Sequence, residues 1–519
     1  MRRLPHIIPA LLSGILLGLT TIGNGPFYHV HWAIFFGFVP LWATWLGERS
    51  VRTIFWSGWV CQFVFTLIAF HWLAYTVNEF SHMGLAFSTL VLLFYCAIAN
   101  LQFPLAGVAW HYLFHRDTVP AWLKVTSLAL LTALFQRMGT MIFHWNFGYA
   151  WLYMGWPGMQ LADIAGFRWL CTVSILLNAA VLLTWFSRKE THWWKPAAIG
   201  LGTFALLNLL GWVHERGLPA ADSVAKVLLI QPNIGNRAKE KLDHGEENFR
   251  EVILLKYIAQ TEVALHALAS PPDFAIWPEN AFPSAIADKN LTFGIAPLLG
   301  DFLRRNRLAL LTGSFGIEND QITNSLFSLN QKGTWSSTPY NKIYLLPFGE
   351  YVPFSDTFPK LKEWLPDVRD YGRGAGPLLL ESGGMQIGPQ ICYEGLFDSV
   401  ARDLANLGAQ LIVNVTNDSW YGHWMEPWQH FYITMAKAVE NRRPLLRATN
   451  TGLSGVILAN GKILEMSPPA TEWHGYYEVP YLKKPRPTVF MGWGYWIDWV
   501  FLACALLACL AARLRKPRV

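Results

Sequence analysis

Three short segments each carry one side chain capable of covalent chemistry, at or near the end of an expected strand. They are Phe274-Ala275-Ile276-Trp277-Pro278-Glu279-Asn280, Tyr340-Asn341-Lys342 and Gln390-Ile391-Cys392-Tyr393-Glu394. A carboxylate, an ammonium and a thiol together make a nucleophile set. The carboxylate takes the thiol proton, the thiolate attacks a carbonyl carbon, and the cation stabilises the developing oxyanion. Sulfur suits this role because a free thiol ionises near about pH 8.5, within reach of a neighbouring glutamate. Taken singly, each residue also reads as ordinary structure: Glu279 as a turn cap, Lys342 as a surface charge, Cys392 as a core thiol. Cys392 nevertheless stands apart, because Cys61, Cys96, Cys171, Cys504 and Cys509 all lie in apolar runs, where a thiol packs as a small hydrophobe. No second cysteine accompanies it in the polar region, and no Cys/His spacing suits zinc, so neither a metal nor another cofactor is expected.

The elements that must hold these residues begin near residue 225, where β-branched and aliphatic runs start to alternate with longer helical patterns. Strands are expected at Val227–Ile230, Phe274–Trp277, Ala309–Phe315, Ser325–Leu329, Ile387–Cys392, Leu411–Val415, Leu445–Thr449 and Gly455–Ala459. Asn460-Gly461 after the last is a hairpin turn signal. Helices are expected over 245–268, 293–305, 397–407 and 427–441. Such alternation implies an α/β domain with its sheets covered by helices.

The rest of the chain is of another kind. Of 519 residues, 53% are hydrophobic and only 15% charged, and the mean hydropathy is +0.25. These values exclude a wholly soluble or disordered protein, and a net charge of +6 gives no indication of nucleic acid. Before residue 220 the acids are only Glu48, Glu79, Asp117, Asp163, Glu190 and Glu215. A bilayer core needs about 20 mostly apolar residues per helix. Runs of that kind fall near 5–23, 29–47, 54–77, 84–113, 121–140, 168–186, 195–213 and 489–512. The expected organisation is a seven-helix membrane domain over 1–217, a soluble catalytic domain over 218–487, and a final span with a basic tail over 488–519. With eight spans, Arg2/Arg3, Arg49/Arg52, Arg116/Lys124, Arg188/Lys189/Lys195 and Arg513, Arg515, Lys516 and Arg518 fall on one side. Cytoplasmic loops are enriched in such residues, so both termini are expected inside and the soluble domain outside the cytoplasm. Arg137 and Arg168 flank the aromatic stretch 138–167 and are expected as interfacial anchors.

The order Glu, Lys, Cys, set within WPEN, PYNKIYLLPFGEYVP and ICYEGLF, resembles the carbon–nitrogen hydrolase (nitrilase) superfamily. With the eight-span frame, NVTNDSWYG, PWQH and RPLLRATNTG, the chain resembles that superfamily's membrane branch, the apolipoprotein N-acyltransferase family of bacterial inner membranes. The resemblance implies a nitrilase-like αββα sandwich inserted into a polytopic α-helical membrane domain. It implies Glu279 as general base, Lys342 as oxyanion stabiliser and Cys392 as nucleophile, with Glu350 orienting the lysine or a substrate amine. Tyr393 and Glu394 match positions that shape the site. It further implies an acyl chain passed from a phospholipid, expected to be phosphatidylethanolamine, through a Cys thioester to the N-terminal amine of a diacylated apolipoprotein. No partner beyond these substrates and membrane lipid is called for, and a monomer is expected. The alternative is a membrane-anchored amidase using the same triad with water as acceptor. Tyr344 stands where many family members carry histidine, and His144 where proline is common. The aromatic segments Phe348–Tyr371 and Trp420–Trp428 read either as a lid for entering lipid or as loops packed into their own domain.

Overall fold

The change of composition near residue 220 is also a change of architecture. The computed structural model describes residues 4–23, 28–81, 84–139, 142–235, 247–364, 368 and 370–514. The basic residues Arg2, Arg3, Arg515, Lys516 and Arg518 lie outside these. The chain divides into two compact units, one of Met1–Asn78, His82–Leu218 and Gly492–Val519, the other of Glu79–Ser81 and Pro219–Met491.

The first unit is helical throughout its described residues. Among the described residues, helical stretches long and apolar enough to cross a membrane are Val30–Gly47, Val51–Phe70, Leu85–Phe114, Pro157–Ser187, Trp194–Arg216 and Gly494–Leu514, six where eight spans were expected. The other two expected spans are helices that fall short by that measure. His6–Leu19 is a shorter apolar helix, and Ala121–Met138 carries Lys124 and Arg137 within 18 residues. The stretch 84–113 is broken, because Asn100 at φ 57° separates the helices Leu85–Ile98 and Gln102–Phe114. The aromatic segment after Met138 folds into short helical turns at Phe147–Tyr149, Ala150–Tyr153 and Pro157–Leu161. The helix Trp194–Arg216 lies so close to the last turn that a Cβ on Gly211 would come within 2.0 Å of the Pro157 carbonyl oxygen. Arg137 is not an exposed anchor. Its Nε sits 3.7 Å from Asp498, both side chains are at most 6% exposed, and its guanidinium lies 5.0 Å from the ring centres of Tyr495 and Trp499. An ionic group among apolar helices needs such a partner, which the last helix supplies.

The second unit is built on two six-stranded sheets. The first has the order β12-β1-β2-β3-β4-β5 and comprises β1 (Ser223–Gln231), β2 (Phe274–Ile276), β3 (Leu310–Glu318), β4 (Gln321–Leu329), β5 (Tyr340–Asn341) and β12 (Trp473–Tyr481). The second has the order β11-β10-β9-β8-β7-β6 and comprises β6 (Leu380–Ser382), β7 (Met385–Ile391), β8 (Leu411–Thr416), β9 (Leu445–Thr449), β10 (Gly455–Ile457) and β11 (Ile463–Met466). Between them lies an apolar layer containing Val227, Leu229, Ile276, Leu311, Ile387, Val413 and Ala448. The outer face of the first sheet buries Leu228, Ile230 and Trp277 against Tyr257 of helix Glu247–His266 and Phe302 of helix Ala296–Asn306. Helices Asp398–Asn406 and Glu426–Asn441 pack on the second sheet. The result is the αββα sandwich expected. β7, β8 and β9 run parallel, and every residue of β8 and β9 is buried. Strands covered on both faces read as unbroken apolar runs, which is why these central strands were legible in the sequence.

Candidate active site

Each of the three reactive side chains stands just past the end of a strand, β2, β5 or β7, and the two sheets bring all three together. β2 stops at Ile276, and the chain turns at once through Trp277-Pro278-Glu279. It lies flat on β3, with the Gly313 amide donating to the Pro278 carbonyl at 3.1 Å. A Cβ on Gly313 would stand 2.6 Å from Glu279 Cα, so only glycine lets this turn approach. Lys342 follows β5, its amide donating to the Asn324 carbonyl of β4 at 2.8 Å. Cys392 follows β7 as the first residue of a 3-10 turn, Cys392–Leu396, with its backbone at φ 50°. A left-handed conformation at a non-glycine residue is costly, and such strain is characteristic of functional turns.

The charged groups are buried and mutually arranged. Lys342 Nζ donates to both oxygens of Glu350, at 2.9 and 2.8 Å, and stands farther off, 3.6 Å, from Glu279 Oε1. Asn324 bridges the two carboxylates, its Nδ2 donating to Glu279 Oε1 at 2.7 Å and Glu350 Oε1 at 2.8 Å. The Leu346 amide fixes the far oxygen of Glu350 at 2.8 Å. Burial by itself would depress the Lys342 ammonium, but Glu350 and then Glu279 hold it above the ordinary lysine range, so it stays cationic. Burial, followed by the field of Glu279, pushes the Cys392 thiol well above its usual value, while Lys342 and a Thr416 hydrogen bond pull the other way. The resting group is therefore a thiol, and its proton must be removed as attack occurs. Glu350 takes the lysine, and Glu279 is the carboxylate less engaged with it.

Glu394 has a different part. Its Oε1 accepts from the amides of Ile343 at 2.7 Å and Tyr344 at 3.2 Å and from the Tyr340 hydroxyl at 2.8 Å, while Oε2 accepts from the Ile391 amide at 2.8 Å. It ties the lysine segment of one sheet to the nucleophile turn of the other. Burial raises its carboxyl to about 7, against the pull of the Ile391 and Ile343 amides, the Lys342 charge and the Tyr340 hydroxyl. Tyr393 is buried with its ring 5.1 Å from Phe397, so its side chain packs, while its amide belongs to the nucleophile turn. Tyr344 stacks on Phe397 at 4.4 Å.

Sequence reasoning assigned no role to Asn324, nor to a second buried cluster behind Cys392. There Asp418 accepts from the Thr416 hydroxyl at 3.1 Å and from Arg447 Nη2 at 3.0 Å, and His430 lies between Asp418 and Glu426. Thr416, Asp418, His430 and Arg447 fall within the quoted motifs NVTNDSWYG, PWQH and RPLLRATNTG, and Glu426 immediately precedes PWQH. Charged residue types inside otherwise apolar stretches were the available signal. Ligand-type atoms of Asp418, Glu426 and His430 lie within 4.8 Å of one another, as in a metal site. Arg447, Thr416 and the imidazole already satisfy Asp418, whereas Glu426 Oε2 and Arg447 Nε are buried without a hydrogen-bond partner.

A sandwich of this order, with a glutamate, lysine and cysteine converging from its sheets, defines a class. Residues 231–480 match the carbon-nitrogen hydrolase family, and residues 13–181 match the apolipoprotein N-acyltransferase N-terminal domain. Among curated proteins, an apolipoprotein N-acyltransferase of Bdellovibrio bacteriovorus is 39% identical over 96% of this chain and 92% of its own length. Those of Geobacter metallireducens and Pseudomonas putida are 29% and 28% identical over 88% and 91% of this chain and 86% and 91% of their own lengths. The chain belongs to the apolipoprotein N-acyltransferase family and is a membrane protein. The similarity runs through both units, so the amidase alternative is not favoured.

Proposed function

We propose that this protein passes an acyl chain from a phospholipid to the N-terminal amine of a diacylglyceryl-cysteine through a thioester on Cys392. Glu279 takes the thiol proton as the sulfur attacks the ester carbonyl, and Lys342, with the Tyr393 amide, stabilises the oxyanion. The ester C–O bond breaks, and the lysophospholipid leaves with the proton returned by Glu279. The acceptor amine then attacks the thioester carbonyl, Glu279 takes its proton, and the C–S bond breaks to give an amide and restore the thiol. The amide is the more stable acyl derivative, so transfer runs toward lipoprotein. The supporting observation is the division of labour between the two carboxylates: Glu350 chelates the lysine, and Glu279 stands off it.

Phosphatidylethanolamine is the proposed donor and a monomer the proposed state. The basic connections favour a bacterial inner-membrane protein with cytoplasmic termini and a periplasmic catalytic domain. Phe348, Phe354 and Phe358 are 53, 62 and 76% exposed in the order Phe348, Phe358, Phe354, and Trp424 is 41% exposed, which favours a lipid-facing role for these loops over packing. Intact mass before and after phosphatidylethanolamine tests the chemistry. Wild type gains one acyl group and loses it to a diacylated lipopeptide, and Cys392→Ala gains none. An adduct on Cys392→Ala, or a thioester released only to water, overturns the reading.

A further inference from the structure

The buried cluster behind Cys392 touches the turn that carries it at the Cys392 carbonyl, chiefly through His430. His430 stands on the helix Glu426–Asn441 and is 2% exposed. Its Nδ1 lies 3.2 Å from Asp418 Oδ1 and 3.4 Å from Glu426 Oε1, and its Nε2 lies 3.2 Å from the Cys392 carbonyl oxygen. A carbonyl can only accept, so Nε2 carries a hydrogen, and two carboxylates call for a hydrogen on Nδ1 as well. Asn414 Nδ2 approaches the same carbonyl at 3.5 Å, while its Oδ1 accepts from Arg447, which pairs with Asp418. The seat is tight. A Cβ on Gly395 of the nucleophile turn would come 3.0 Å from Thr434 Oγ1 of the helix, and one on Gly452 would come 2.0 Å from Asp418 Oδ2. In a trans peptide the carbonyl and the following N–H point in opposite directions. Whatever grips the Cys392 oxygen therefore also aims the Tyr393 N–H and holds the left-handed Cys392 backbone that presents the sulfur.

We propose that His430 is a positioning residue for acyl transfer: doubly protonated between Asp418 and Glu426, it clamps the Cys392 carbonyl and so sets both the thiol and the oxyanion donor of the next amide. The inference rests on Cys392 being the nucleophile. Titratable or charged groups facing the cluster are Asp418 and Tyr421 from the loop after β8, Glu426 from the same helix, Arg447 from β9 and Cys392 itself. Burial and Arg447 work against the second proton on His430, and Asp418 and Glu426 overcome them, so its affinity for that proton is raised. Burial, then Asp418, brings the Glu426 carboxyl up to about 7.

The test is rapid-quench intact mass of the full-length protein in detergent with phosphatidylethanolamine, reading the rate of acyl addition at Cys392. His430→Leu removes the donor and slows that rate by about 100-fold, the usual cost of misplacing a reacting group by about 1 Å, with the half-saturating phospholipid concentration unchanged. His430→Gln, which restores an N–H near the Nε2 position, recovers the rate to within about tenfold of wild type. Glu426→Gln takes a carboxylate from the imidazole and moves the alkaline limb of the acylation profile roughly one pH unit lower. Equal rates in His430→Leu and wild type, or a Glu426→Gln alkaline limb that stays in place, overturn the inference. So does a stoichiometric metal ion on Asp418, Glu426 and His430 in the purified protein. Wild type that takes no acyl group at Cys392 refutes the nucleophile assignment instead, which keeps the two failures apart.

Discussion

Two buried ion clusters flank the same sulfur and are built on opposite principles. The one carried by the first sheet has a single cation, Lys342, between Glu279 and Glu350, and its carboxylates are unequally engaged with it. The one carried by the second sheet sets Arg447 and His430 against Asp418 and Glu426. In the first, Glu350 chelates the lysine and Glu279 stands off it. In the second, two cations face two carboxylates, and His430 also reaches the Cys392 carbonyl. The difference is one of charge balance: a single buried cation shared by two carboxylates leaves one of them only loosely held, whereas matched numbers hold Asp418 from two sides.

Removing Arg447 is the largest way to break that contrast. Arg447→Met strands Asp418 in a fully buried site, and losing one partner of a buried ion pair costs about 3–5 kcal/mol. Denaturant unfolding should show the loss, and unchanged stability would contradict the ion pairing of Asp418 with Arg447. Lys342→Met should in addition slow acylation, by roughly 3 kcal/mol or about 100-fold, because it removes the proposed oxyanion stabiliser. Single-turnover measurement of the Cys392 adduct on the folded variant checks this, and an unchanged acylation rate would leave Lys342 no part in the chemistry.

Glu394 joins the two sheets and sharpens the comparison through pH. Its folded-state carboxyl is raised from 4.5 to about 7, so its contribution to stability is full below the unfolded value and is lost as pH rises through about 7. Wild type should therefore lose melting temperature between pH 4.5 and about 7 relative to Glu394→Gln, and parallel curves for the two would sink that account. Tyr340→Phe should have the smallest effect. It removes one hydroxyl donor to Glu394, worth about 1.5 kcal/mol when the acceptor is charged, and equilibrium unfolding reads it directly.

The central strands and the covering helices were legible because burial on both faces writes itself as apolar runs. Leu445–Thr449 has the expected ends, and Glu247–His266 lies inside the expected 245–268. The missed strands were β5, β6, β11 and β12. β5, β6 and β11 are two to four residues long, and β12 alternates buried and exposed positions, Trp473–Tyr481, around a glycine and a proline. In the helical unit, the break at Asn100 and the buried Arg137–Asp498 pair escaped the hydropathy reading, because an apolar average does not report a kink or a partner 361 positions away, the separation of residues 137 and 498.

Residue types and their order were enough to single out Glu279, Lys342 and Cys392, because a lone thiol in a polar region and a carboxylate and amine at strand ends have few other uses in combination. Which carboxylate holds the lysine was decided only by tertiary structure, as was the fact that Asp418, Glu426, His430 and Arg447 stand behind the sulfur. Those relations join the ends of neighbouring strands, β4 to β5 in one sheet and β8 to β9 in the other, and distances between strands depend on packing that no local pattern encodes.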